Sequence, residues 1–148
     1  MTDAAIRRAD PIDVAARDQR TASAPDVSAW VDASAGSGKT KVLTDRALRL
    51  MLAGDRPERI LCLTFTKAAA AEMANRIVRD LSFWATEPDA AVRKKLLDLT
   101  GADPAPATVA RARALFARVV DAPGGLKVQT VHAFCQAALE RFPVEAGA

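Results

Sequence analysis

The chain has 148 residues, of which 50% are hydrophobic and 26% charged, with a formal net charge of +3. That is one domain's worth of chain with enough apolar material for a real core. No uninterrupted apolar run approaches the ~18 residues of a membrane span, which excludes a spanning helix and a membrane partner of that kind.

The charge surplus decides little. Lys39, Lys41, Arg46, Arg49, Arg56, Arg59, Lys67, Arg76 and Arg79 outnumber the acids of their region. Such a surplus is as compatible with solvated helix faces as with a polyanion partner. The first 20 residues alternate charges and lack the apolar centre of a secretory leader. Cys62 and Cys135 lie in apolar surroundings without metal-ligand spacing, so they read as two buried thiols of a reducing compartment. The expected location is cytoplasmic.

In chain order, residues 1–28 form a lead-in interrupted by Pro11 and Pro25, with a short helix over 14–21. Ala29-Trp30-Val31-Asp32 is expected as a first strand. A Gly/Ser loop follows, then a helix over 39–53, where Val42, Leu43, Ala47, Leu50 and Met51 recur at helical spacing and Gly54 ends the run. The near-continuous apolar run 59–65 suits a buried parallel strand. Helices are expected over 68–81 (Met73, Ile77 and Leu81 spaced four apart), 89–99 and 107–120. A turn at Pro123-Gly124-Gly125, a strand over 127–130 and a final helix over 131–141 complete the series. The fold class is α/β, a parallel sheet flanked by helices. Its expected divisions are a lead-in (1–28), a first half-domain (29–81), a helical insertion (82–126) and a third strand with its helix (127–148).

The chemistry concentrates in the run Ala33-Ser34-Ala35-Gly36-Ser37-Gly38-Lys39-Thr40. Gly36 and Gly38 let the backbone curl around phosphate oxygens without a Cβ in the way. Lys39 can reach the β- and γ-phosphates, and the Thr40 hydroxyl can ligate Mg²⁺. The helix that starts here points its positive end at the same anion. Ala33 stands where the usual pattern has glycine. Upstream, Gln19 carries an amide able to pair one edge of adenine.

Two further segments follow the other expected strands. Thr64-Phe65-Thr66 offers two hydroxyls flanking an aromatic face on which a base could stack. It reads equally as a strand end, with Thr66 capping the next helix and Phe65 in the core. Thr130-Val131-His132 contains the single histidine of the chain. His132 suits either a donor to phosphate or sugar or a partly buried, satisfied imidazole; no second ligand supports a metal.

Taken together, the glutamine, the loop ending Gly-Lys-Thr, the run Thr64-Phe65-Thr66-Lys67-Ala68-Ala69-Ala70-Ala71-Glu72-Met73 and Thr130-Val131-His132-Ala133-Phe134 resemble superfamily 1 DNA helicases of the UvrD/Rep type, in the same order. The long gap from Ile77 to Thr130 and the phrase Val128-Gln129-Thr130-Val131-His132-Ala133-Phe134-Cys135 look most like the AddA/RecB helicase–nuclease branch. The resemblance covers roughly residues 17–142. It implies an incomplete RecA-like P-loop NTPase domain that uses ATP and Mg²⁺. Gln19 would lie at adenine, Ala35, Gly36, Ser37, Gly38 and Lys39 on the phosphates, and Thr40 on the metal. Thr64, Phe65, Thr66, Thr130 and His132 would line a track for single-stranded DNA. It also implies double-stranded DNA as substrate, a partner nuclease subunit, and a role in recombinational double-strand break repair.

No strand in the sequence ends in the Asp-Glu pair that such motors use to position water, so ATP binding without hydrolysis or unwinding is expected of an N-terminal fragment. The alternative is a standalone P-loop nucleotide-binding module with no DNA role.

Overall fold

The computed structural model describes residues 11–32 and 38–141. Six α-helices and two strands are laid out in order: α1 (Pro11–Ala22), α2 (Lys39–Ala53), a 3₁₀ turn (Pro57–Arg59), β1 (Leu61–Thr64), α3 (Lys67–Thr86), α4 (Asp89–Thr100), α5 (Pro106–Val120), β2 (Lys127–Thr130) and α6 (Val131–Arg141). β1 and β2 pair in parallel, with Leu61 opposite Lys127 and Thr64 opposite Thr130. A parallel pair needs a long crossover. Here it consists of α3, α4 and α5, and α3 is one unbroken helix across residue 82.

Local chemistry explains most boundaries. Gly54, at φ 115°, closes α2 by donating its N–H to the carbonyls of Leu50 and Met51. Thr66 caps α3, its hydroxyl accepting from the Ala69 amide at 3.1 Å. Pro106 fits the first turn of α5, where no N–H is needed.

The core is built between helices. Ala47, Leu48, Met51 and Leu52 of α2 meet Met73, Ile77, Leu81 and Trp84 of α3. Val92 and Leu96 of α4 and Val109, Ala112 and Leu115 of α5 join the same cluster. α4 and α5 thus share one core with α2 and α3. Full burial of each such side chain contributes about 1.5–3 kcal/mol.

Three expectations are corrected. Residues 29–32 have no regular structure, and Trp30 is 96% exposed. Without ladder bonds to a neighbouring strand, an apolar tetrapeptide has no reason to stay extended. β1 is parallel as expected but only half-buried, with Leu61 and Leu63 on the surface, because β2 covers one of its edges alone. Cys135 is exposed, since no residue of α6 is buried; Cys62 is half-buried, and burial pushes its thiol pKa up, which keeps it protonated and unreactive.

Arginines of one helix grip the carbonyl ends of others. Arg113 of α5 donates to the carbonyls of Trp84 (3.2 Å), Ala85 (3.3 Å) and Glu87 (2.8 Å), and pairs with Asp89. Arg111 donates to the Leu52 carbonyl at 2.6 Å. Bonds to a charged donor contribute about 1.5–3 kcal/mol each when the acceptors are desolvated, less where water can replace them. Arg113→Ala should therefore lower unfolding free energy by about 1.5–3 kcal/mol in urea melts; an unchanged midpoint would show that water satisfies these carbonyls equally well.

Candidate nucleotide site and strand-end rim

α2 starts where the phosphate loop ends. Its N-cap is Gly38, at φ 88° and ψ 16°, and no side chain caps the helix. The Gly38 carbonyl already accepts from the Val42 amide at 3.0 Å. Lys39 and Thr40, both exposed, occupy the first turn, where backbone N–H groups lack intrahelical acceptors. Of the loop residues selected from sequence, Gly38, Lys39 and Thr40 are placed by the structure; Ala35, Gly36 and Ser37 lie outside the described residues.

The structure brings Gln19 to this turn. A cavity of about 360 Å³ is lined by Ala15, Asp18, Gln19 and Ala22 of α1, by Trp30, Val31 and Asp32, and by Lys39 and Val42 of α2. A Cβ built on Gly38 would sit 3.1 Å from Gln19 Nε2. The glutamine amide and the loop glycine are therefore in close approach, although distant in sequence. Sequence reasoning missed Trp30 as a wall of this cavity. The signal was its position just before the loop, which was assigned to a strand.

The donor set fits a nucleoside triphosphate: an ammonium, a helix N-terminus without a side-chain cap, a hydroxyl for the metal and an amide for a base edge. Among the described residues no cluster of three His, Cys, Asp or Glu side chains could hold a metal unaided. Mg²⁺ would thus depend on Thr40 together with phosphate oxygens.

A larger cavity of about 490 Å³ opens between α2, α3 and α4. Its charges largely neutralise one another, with Lys41 on Asp45 and Lys95 on Asp80, both at 2.5 Å. It contains none of the sequence-selected residues and offers no comparable field for an anion.

The second group of residues gathers at the carboxyl ends of the paired strands. Thr64 and Thr130 are register partners, so the segments after them leave the sheet side by side. The Thr64 hydroxyl donates to the Thr66 carbonyl at 2.9 Å, Thr66 caps α3, and Thr130 Oγ1 accepts from the Ala133 amide at 3.2 Å. All three hydroxyls thus have local partners. Phe65 is 92% exposed, against the reading that places it in the core, and His132 is exposed rather than partly buried. The cavity at Lys39 is lined by none of these residues.

Comparisons with known proteins agree with this layout. A family model described as the UvrD/REP helicase N-terminal domain matches residues 15–148. An ATP-dependent helicase/nuclease subunit from Latilactobacillus sakei is 36% identical over 115 residues, covering 76% of this chain and 10% of the relative. Its namesake from Lactiplantibacillus plantarum is 31% identical over 112 residues, 76% of this chain and 8% of the relative. That from Lactobacillus helveticus is 60% identical over 47 residues, 32% of this chain and 4% of the relative. The chain spans about a tenth or less of the length of these relatives. No solved structure matches.

Gly38→Ala tests the loop geometry. The clash would be with the flexible end of Gln19 and is cheap; the positive φ is not, and costs an alanine about 1–2 kcal/mol. Urea melts should show that loss. Adding Gln19→Ala to the same chain should not restore it, and full restoration would mean that the clash, rather than the backbone, was the cost.

Proposed function

The chain belongs to the UvrD/REP helicase family, and from that premise we propose that it binds Mg·ATP in the cavity between α1 and α2 and contacts single-stranded DNA along the strand-end rim. The observation that carries the first part is the approach of Gln19 to Gly38 beside Lys39. Lys39 would neutralise the β- and γ-phosphates, the first-turn amides of α2 would donate to their oxygens, and Thr40 would meet Mg²⁺. The Gln19 amide would read the base edge, and the exposed Trp30 ring would offer it a face. Ala35, Gly36 and Ser37 would complete the phosphate cradle.

In this reading the chain forms the opening part of a RecA-like ATP-binding domain. Residues 1–28 bring the glutamine and 29–81 the phosphate loop and β1. Residues 82–126 are the helical insertion, and 127–148 add the strand and helix of the Thr130–His132 segment. The sequence has no strand ending in Asp-Glu to orient an attacking water, so turnover by this chain alone should be negligible. A steady ATPase rate in highly purified protein would refute that. The names of the relatives extend the proposal to a cytoplasmic helicase–nuclease component that works on double-stranded DNA ends in recombinational repair, beside a partner nuclease subunit. Among the described residues no helix is long and apolar enough to cross a membrane.

Calorimetric titration with Mg·ATP should give heats of binding that Lys39→Ala abolishes. Equal heats from the two proteins would remove the loop assignment.

The DNA part rests on Phe65. A nearly fully exposed aromatic ring between two threonines at a strand end gives a base something to stack on, worth about 1–3 kcal/mol per base. The local bonds of Thr64, Thr66 and Thr130 favour the other reading, a nucleotide-binding module whose rim is structural. Oligo-dT titration followed by tryptophan fluorescence separates them. Binding that weakens with salt and falls about 5- to 150-fold in Phe65→Ala supports the DNA track. No binding at low salt supports the module.

A further inference from the structure

α1 is poorly anchored by ordinary means. It has 12 residues, too few for an isolated helix to be stable in water, and none of them belongs to the hydrophobic core cluster. Yet it carries Gln19, whose amide must be held in one plane to pair two atoms of a base.

What holds α1 is a polar clamp from α2. Arg49 Nη1 donates to the Arg20 carbonyl at 2.5 Å and to Ser23 Oγ at 3.0 Å. Arg46 donates to the carbonyls of Ala22 (3.3 Å), Ala24 (2.7 Å) and Val27 (2.5 Å). Ser23 is fully buried. Its hydroxyl donates to the Arg20 carbonyl at 3.1 Å, and its amide to the carbonyl of Gln19 itself at 3.0 Å. The residue gripped by Arg49 is thus bonded directly to the backbone of Gln19. Neither arginine lines the cavity that Gln19 lines. Both sit on the helix whose first turn carries Lys39 and Thr40, so one rigid rod joins the phosphate end to the base end.

We propose that Arg49 and Arg46 are positioning residues for base recognition: by gripping the last carbonyls of α1 they hold Gln19 against the phosphate loop, and the preference for adenine over guanine depends on them as much as on Gln19. This rests on the nucleotide reading above. Losing the clamp frees α1 without touching Lys39 or the first turn of α2. Base preference should therefore collapse while phosphate affinity survives, a separation that general loss of folding would not produce.

The test uses the full chain and calorimetric titration with Mg·ATP, Mg·GTP and Mg·tripolyphosphate, with a thermal melt for each variant. In Arg49→Ala the ratio of ATP to GTP affinity should fall roughly tenfold, the equivalent of one lost base contact, to the level of Gln19→Ala. Tripolyphosphate affinity should stay within about twofold of wild type, because Lys39 and the α2 amides are untouched. Adding Gln19→Ala to Arg49→Ala should cost nothing further, since the two act on one interaction. Arg49→Lys keeps the charge but not the forked donors and should give an intermediate ratio; it carries the test should Arg49→Ala not melt cooperatively. An unchanged ATP preference in the clamp variants overturns the proposal, as do parallel losses for all three ligands or fully additive effects. A wild-type chain that binds tripolyphosphate without preferring ATP overturns the positioning role and leaves the phosphate loop standing. One that binds no tripolyphosphate overturns the nucleotide reading, and the positioning role with it.

Discussion

Short helices end in carbonyl groups with no partner of their own, and this chain satisfies many of them with guanidinium groups from neighbouring helices. Arg46 and Arg49 hold the end of α1, Arg111 the end of α2, and Arg113 the end of α3. Each contact does two things at once: it satisfies acceptors that burial would leave unpaired, and it fixes the angle at which one helix meets the next. Arginine suits the task because its planar fork reaches several oxygens together, where lysine would place a single charge. Burial lowers the pKa of Arg49, yet a guanidinium starts so high that the group stays charged. The clamps are therefore insensitive to pH in the neutral range.

The two candidate surfaces arise from different geometry. The nucleotide cavity is made by a helix pair: α2 supplies Lys39 and Thr40 from its first turn, and α1 lies close enough for Gln19 to reach Gly38. The rim is made by a strand pair, where parallel register puts Thr64 beside Thr130 and sends α3 and α6 away from the same edge. The helical core links them, because α2 and α3 bury opposing faces in one cluster. A ligand at either surface would act on helices that share a core, the physical route by which binding at one is felt at the other.

Much of the fold was legible in the chain. The helices over 39–53, 89–99, 107–120 and 131–141 and the strand 127–130 lie within a residue of the observed elements, since each is announced by apolar spacing and bounded by glycine, proline or a turn. The failures share one cause. Ala29–Asp32 and the 59–65 run have the composition of buried strands, but a strand exists through the neighbour that hydrogen-bonds to it. One of these segments has no such neighbour among the described residues, and the other has β2 alone. Phe65 and Cys135 look like core residues by type; both lie on the surface because the elements after β1 and β2 turn their faces outward. Of the site, the loop and the glutamine were readable as residue types, whereas the clamp was not. Arg46 and Arg49 stand at polar helix positions indistinguishable from a solvated face.

The sequence by itself determined the chemistry available: a phosphate loop with its lysine and threonine, a glutamine upstream, threonines and an aromatic after the strands, and the helical periods that bury Met73, Ile77 and Leu81. These are properties of residue type and local spacing, and they survive whatever the rest of the chain does. Only the tertiary structure decided which of them meet. Gln19 reaches Gly38 because two arginines hold α1 down, and Thr64 lies beside Thr130 because a three-helix crossover returns the chain parallel to β1. Such meetings depend on partners far along the chain, and local spacing contains no information about distance in space.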